Sequence, residues 1–411
     1  MTTNTFFVLR NTQSGKSKIT LNALMEWVGE KVIAFLIVDN DKTLADQTVQ
    51  GLGENDQPIL LSSSVKGTTV WDIRKRVDEY AKDADNHKMP VVVALNNRHQ
   101  MAKVVKVMHY IKTKKTGMRY GVIFDEADKV YPAVRDREFP VAGGGKKTVK
   151  TMLEDAFRIG FVTATEGDLL EDEDCANAAL NTDHETSPDY RGPHTADAVI
   201  QTNDLDEGET NATYAERILT DNAAYFLQPI EGTQYYRKTI VNGVARVKAM
   251  DALAMKQREA GAYAITLNKN GVTLYRPGKP KMRKSVAGQR LCVALYEIYR
   301  KQELSDRPLF IIGCRKVARG LGFHCAPLDG SEGLVWTDMV LGRIRNKAMA
   351  VQKAGRLAGI VAQCPQYMGQ LTWWTDEKTA KRVIDHNRSV DEANTKKNCT
   401  LAEALVQSED E

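Results

Sequence analysis

The sequence predicts an α/β protein built on doubly wound parallel sheets. Three observations predict it. Short, continuous apolar runs alternate with stretches of helical periodicity. Several of those runs end directly on polar or acidic residues or on a Gly-Lys-Ser turn, where ligands of such sheets sit. The same strand-and-helix pattern starts again in the second half of the chain.

Taken in order, Phe6-Phe7-Val8-Leu9 reads as a buried strand, followed by the turn Asn11-Thr12-Gln13-Ser14-Gly15 and by Lys16-Ser17 at a helix start. Ile19, Ala23 and Trp27 then recur at helical spacing. Val32 to Val38 is continuously apolar, as a strand covered on both faces is, and it ends in Asp39-Asn40-Asp41. Leu44 and Ala45 mark a helix, Pro58 to Leu61 a short strand, and Thr68 the cap of a helix carrying Val70, Ile73, Val77 and Tyr80. Val91 to Leu95 is a fourth strand, and Met101, Val104, Val105, Met108 and Ile111 mark the next helix. A fifth strand, Gly121 to Phe124, ends at Asp125-Glu126-Ala127-Asp128.

Gly143 to Lys147 reads as a flexible basic loop or a plain linker, and Phe157 to Thr165 as a sixth strand. The acidic stretch Glu166 to Asp174 and the polar chain to about Glu216 read as an exposed insertion or linker. Tyr235 to Val247 alternates around Asn242-Gly243 and reads as a hairpin. The second α/β pattern holds a strand at Tyr263 to Leu267, a basic turn or phosphate contact at Lys279 to Lys284, and a helix with Leu291, Leu295 and Ile298. A strand at Leu309 to Ile312 runs into Gly313-Cys314, and a last helix carries Gln352 to Arg356. Beyond about Arg388 a polar, frayed tail is expected.

The chain's 411 residues suggest two or three domains. We expect domains over 1–230, including an insertion at about 166–216, and over 231–390, with 391–411 as the tail. Hydrophobic residues at 42% and charged residues at 27% are ordinary globular composition, and a net charge of +4 permits nucleic acid binding without indicating it. Six cysteines without a CxxC pair read as reduced thiols. No signal peptide and no membrane-spanning run are visible, so a soluble intracellular protein is expected, with no membrane partner.

The strand-turn-Gly-Lys-Ser-helix stretch is the geometry of a phosphate cradle. Loop amides and a helix N-terminus aim donors at an anion, Lys16 supplies a mobile full charge, and the Ser17 hydroxyl can hold Mg²⁺. Thr12, Gln13, Ser14, Gly15, Lys16 and Ser17 would line the nucleotide. Arg10 stands where the usual spacing asks for glycine. Asp125 can hold Mg²⁺ with Ser17, and Glu126 can orient or deprotonate a water, as ATP hydrolysis requires. Asn96 and His99, after the fourth strand, are phosphate or sugar contacts or helix caps. Trp373-Trp374 could stack a base or pack in a core.

In order along the chain, these stretches resemble the motifs of superfamily-2 helicases. NTQSGKS resembles their phosphate loop, and Val38 to Gln47 (VDNDKTLADQ) lies where they have a nucleic-acid-contacting strand end. Asp125 to Asp128 reads DEAD, matching the family's Mg²⁺ and water-activating motif. Thr163-Ala164-Thr165 is similar to the motif coupling their two domains, Cys314 to Gly320 (CRKVARG) to their Arg-Gly motif, and QKAGR, Gln352 to Arg356, to their final motif.

The resemblance spans nearly the whole chain. It implies two RecA-like domains around an ATP cleft and a nucleic-acid-dependent ATPase that moves on or unwinds DNA or RNA, single- or double-stranded, with DNA slightly favoured. ATP and Mg²⁺ would be its cofactors. It further implies catalytic roles for Lys16, Glu126, Gln352, Arg356 and Arg319, and nucleic-acid contacts at Asn40, Asn96, Thr163, Thr165 and Cys314. The sequence departs from the family at Gly359, where a second arginine is usual, at Cys314, where threonine is common, and at Gly322, where aspartate follows Arg-Gly. Arg10 and the missing second arginine keep open a catalytically weak nucleic-acid clamp that retains the fold; a packaging or remodelling motor acting on protein, which would share the phosphate loop and the Asp-Glu pair but has no need of the motifs in the second sheet, is another alternative.

Overall fold

The computed structural model describes the chain except for residues 1–3, 29, 41–44, 46–47, 50–51, 53–57, 62–67, 85–87, 115–116, 183–185, 269–270, 286–290, 315–322, 326–331, 361–368 and 407–411. The chain divides into two units. The first holds Met1–Arg10, Gly15–Glu185 and Asp391–Glu411; the second holds Asn11–Ser14 and Thr186–Val390.

In the first unit, strands β1 (Thr5–Leu9), β2 (Val32–Val38), β3 (Ile59–Leu61), β4 (Val91–Leu95) and β5 (Arg119–Asp125) alternate with helices α1 (Lys16–Glu26), α2 (Val70–Lys82) and α3 (Arg98–Thr113). Helix α4 (Ala127–Val134), the small hairpin of β6 (Phe139–Pro140) and β7 (Lys146–Lys147), and α5 (Val149–Leu153) follow. Then come β8 (Arg158–Thr163), α6 (Glu173–Ala176) and β9 (Ala179–Leu180). Seven strands form one sheet in the order β3-β4-β2-β5-β8-β1-β9, every pair parallel. All seven residues of β2 are buried, because helices cover both faces.

The second unit holds β10 (Tyr190–Arg191), β11 (Ala198–Thr202), α7 (Asn211–Asp221), α8 (Ala223–Leu227), β12 (Lys238–Asn242), α9 (Val247–Glu259) and β13 (Tyr263–Asn268). Next are β14 (Gly271–Arg276), β15 (Lys279–Lys284), α10 (Leu291–Lys301), β16 (Leu309–Gly313), β17 (Asp338–Gly342) and α11 (Lys347–Ala354). The chain then runs through β18 (Gly359–Ile360), β19 (Leu371–Thr375), α12 (Glu377–Thr395) and α13 (Leu401–Val406). Its sheet has the order β11-β19-β17-β12-β16-β13-β14-β15. The first six strands pair in parallel, and β14 and β15 extend the edge antiparallel. One core cluster contains Trp336 and Trp373, and another contains Phe310 and Trp374.

Several sequence expectations need correction. The first unit ends at Glu185, short of 230, and residues after 390 return to it as the end of α12 and as α13. That return is held by backbone bonds: Leu180 N–H donates to the Cys399 carbonyl at 2.9 Å and Leu401 N–H to that of Ala178 at 3.1 Å. The expected insertion is structured. Asp172 is buried, takes the Arg135 guanidinium at 2.5 Å, and accepts from the Asp174 and Cys175 amides at the start of α6. No hairpin forms around Asn242-Gly243; β12 is a fully buried strand between parallel neighbours, and Gly243 turns the chain toward α9. Residues 143–147 are no linker, since Phe139 pairs with Lys147. Lys279–Lys284 is an edge strand, and Thr69, not Thr68, caps α2.

Candidate functional site

Parallel pairing brings the candidate residues of the first unit to one sheet edge. Asp125 is in register with Val162, and Val162 with Val8. The ends of β5 and β1 are therefore level, two strand spacings apart, about 10 Å. Between them lies the end of β8.

After β1, the Arg10 amide still donates to the Thr163 carbonyl, at 3.1 Å. Arg10 is absent from the residues with positive φ, so its backbone does not demand the glycine usual there. The turn tightens at Ser14, whose amide and hydroxyl both reach the Asn11 carbonyl, at 3.2 and 2.7 Å. Gln13 (φ 64°) and Gly15 (φ 103°) then take left-handed conformations. Gly15 caps α1 with no side chain, and no acid occupies the helix's first turn, so the positive end of the helix dipole is left unneutralised. Lys16 Nζ folds back on the Arg10 carbonyl at 3.3 Å. Ser17 follows in the same first turn. Thr12 is buried within the second unit, where its carbonyl accepts from the Tyr190 hydroxyl at 3.0 Å.

Asp125 ends β5, and desolvation followed by the neighbouring Glu126 charge pushes its carboxyl up to about 7; Lys16 pulls the other way. A carboxyl so placed gains from a cation, and the Asp125 carboxylate and Ser17 hydroxyl are oxygen donors that could hold Mg²⁺. Glu126 is the N-cap of α4 at φ 53°, in the left-handed region that costs a non-glycine residue energy. Desolvation, then Glu126, also raises the Asp128 carboxyl, opposed by two threonine hydroxyls.

Those hydroxyls belong to Thr163 and Thr165, two of the expected nucleic-acid contacts. Thr163 and Thr165 are buried and each donates to Asp128 at 2.7 Å, one to each carboxylate oxygen. They tie the end of β8 to α4. Asn40 and Asn96 lie after adjacent strands, with Val38 in register with Leu95. The exposed Asn40 accepts from Asn97 Nδ2 at 3.1 Å, and Asn97 caps α3. Arg98 and His99 stand exposed beside them.

In the second unit, Cys314 follows the end of β16 and is half-buried. Gln352 and Arg356 are both buried at and after the end of α11. Arg319 lies outside the described residues, as do the rest of its motif after Cys314 and Asp41 to Leu44. Trp373 and Trp374 are core residues; their indoles donate to the Ala354 carbonyl (2.9 Å) and to Asp338 (3.4 Å). Among the described residues no helix is long and apolar enough to cross a membrane.

Sequence reasoning missed one group. Asn394, near the end of α12, donates from Nδ2 to the Leu9 carbonyl at 2.8 Å. Asp391, one turn earlier, favours the cationic form of the buried Arg10. The helical periodicity of this stretch was the available signal, obscured by its polarity.

No family model matches the chain, and no curated protein does. Among solved structures it is similar to the ATP-dependent Type ISP restriction-modification enzyme LlaBIII bound to DNA. That likeness has 12% identity and a TM-score of 0.55, over 95% of this chain and 28% of that one. This chain thus spans little more than a quarter of that enzyme's length. It is also similar to a DEAD box protein from Methanococcus jannaschii, with 14% identity, 94% and 86% coverage and a TM-score of 0.41. A third likeness is to Mss116p bound to ssRNA and AMP-PNP, with 13% identity, 97% and 71% coverage and a TM-score of 0.49. What the likeness shows is the fold: two RecA-like α/β units, each built on a largely parallel sheet.

Proposed function

We propose that this chain is a nucleic-acid-dependent ATPase of the helicase or translocase type. The observation that carries the reading is the juxtaposition on one sheet edge of an uncapped helix N-terminus with Lys16 and a carboxyl pair, Asp125 and Glu126, two strands away. The loop amides and Lys16 would bind the β- and γ-phosphates of ATP. Asp125 and Ser17 would hold Mg²⁺, which supplies charge neutralisation at the phosphates. Glu126 would accept the proton of the attacking water, and its fixed left-handed backbone orients the carboxylate before substrate arrives.

Arg356 is the proposed stabiliser of transition-state charge, with Gln352 as a nucleotide contact and Arg319 as the alternative arginine. The polar ends of β2 and β4, with Asn40, Asn96 and the exposed Arg98, would face the nucleic acid backbone. DNA and RNA remain two arms of one test.

Phosphate release from Mg²⁺-ATP by the wild type and by Lys16→Ala tests the nucleotide half of this reading. Wild type should turn over and Lys16→Ala should not, with far-UV circular dichroism unchanged. A Lys16→Ala protein that hydrolyses ATP at the wild-type rate would remove the phosphate loop from the account.

A further inference from the structure

Strand β1 has a shortfall at its end. On one side β8 pairs with all five of its residues, through Leu9 and Thr163. On the other side β9 reaches only Phe6 and Phe7, and the Asn181 amide takes the Phe7 carbonyl. The Leu9 carbonyl is the last in β1, and among the described residues no strand residue pairs with it on that side. Asn394, 385 residues away in sequence, supplies the missing donor at 2.8 Å.

The next residue, Arg10, is 4% exposed. A buried guanidinium needs a compensating anion. The Asp391 charge favours the cationic form, opposing the lowering that burial imposes on Arg10. Asp391 and Asn394 are three apart on α12 and so share a helix face. The Arg10 carbonyl accepts from Lys16 Nζ, so what holds Arg10 also sets where the loop lysine rests. These residues all belong to the first unit.

We propose that Asp391 and Asn394 are positioning residues for the phosphate loop, fixing its entry at Leu9 and Arg10 and thereby setting nucleotide affinity. The arginine that breaks the glycine pattern is then an anchor: its side chain serves α12 while its backbone serves the loop. The affinity half of this inference rests on the ATP-binding reading above; the anchoring half does not.

Two measurements on the full chain test it with Asn394→Asp, which keeps the shape but loses the donor, and Asp391→Asn, which removes the charge. Hydrogen exchange of peptides covering residues 9–18 should accelerate in both variants, while peptides covering β2 and β5 stay as in wild type. The KM for Mg²⁺-ATP should rise by about tenfold, the scale of one lost hydrogen bond, with kcat at saturation within about twofold. General destabilisation would instead speed exchange across β2 and β5 and lower kcat, and would overturn the proposal. Unchanged exchange over residues 9–18 would also overturn it, as would faster loop exchange with an unchanged KM. If wild type neither binds nor hydrolyses ATP, the functional reading fails by itself, and the exchange data still decide whether the anchor exists.

Discussion

Glu126, the proposed acceptor of the water's proton, is held in the left-handed backbone region. It is one of five described non-glycine residues with positive φ, and Gln13 of the phosphate loop is another. Strain of this kind persists where surrounding structure enforces it. Glu126→Gln keeps size and backbone preference but cannot take a proton. We expect it to bind ATP normally and to lose about 10²–10⁴ in turnover, the usual scale for a general base. Single-turnover hydrolysis and a nucleotide-binding isotherm read the two effects separately; normal turnover would assign the water's proton to another group. The Asp125-Glu126 pair was legible as the end of an apolar strand. That Asp128 holds Thr163 and Thr165 was not legible, because the partners are more than thirty residues apart.

At the scale of elements, continuous apolar runs identified β1, β2, β4, β5, β8 and β16 well, since strands buried on both faces leave no polar alternation to misread. Asn242-Gly243 misled because the dipeptide that suits a hairpin also suits a strand-to-helix turn. Gly243, at φ 103°, lies against Asn211, whose Cβ would be 3.1 Å from an added Cβ.

Strand β12 carries a second feature that its pattern concealed: its first residue, Lys238, is buried. Its Nζ donates to the Ser305 and Arg307 carbonyls at 3.1 and 2.7 Å and lies near the rings of Tyr235 and Tyr299. Burial pushes the amine down to about 7, against the pull of Glu332 and Asp306. The unfolded chain therefore binds more protons than the folded one between about pH 7 and the ordinary lysine value, and stability from this group rises with pH across that window. Lys238→Met should be most favourable relative to wild type near pH 6 and lose that advantage by pH 9. Denaturant midpoints at the two pH values check this; a pH-independent difference would mean that Lys238 keeps its ordinary ionisation.

For the whole molecule, two parallel-sheet units were legible because the strand-helix pattern runs twice. Their boundaries were not. Polar composition suggested a linker between 166 and 216, yet Cys175, Tyr190 and Tyr214 in that stretch are buried. The tail looked frayed because its charged residues outnumber its apolar ones, although Leu401 and Ala404 are enough to bury α13.

The central claim, that ATP hydrolysis answers to nucleic acid, is tested most directly by one steady-state measurement. Phosphate release from Mg²⁺-ATP is followed with no nucleic acid, with single-stranded DNA, with single-stranded RNA and with duplex, at fixed ionic strength because backbone binding is salt-dependent. The account predicts slow basal turnover raised severalfold or more by at least one of these polymers, and lost in Glu126→Gln. Turnover unchanged by any of the polymers, in a protein that hydrolyses ATP, would contradict it.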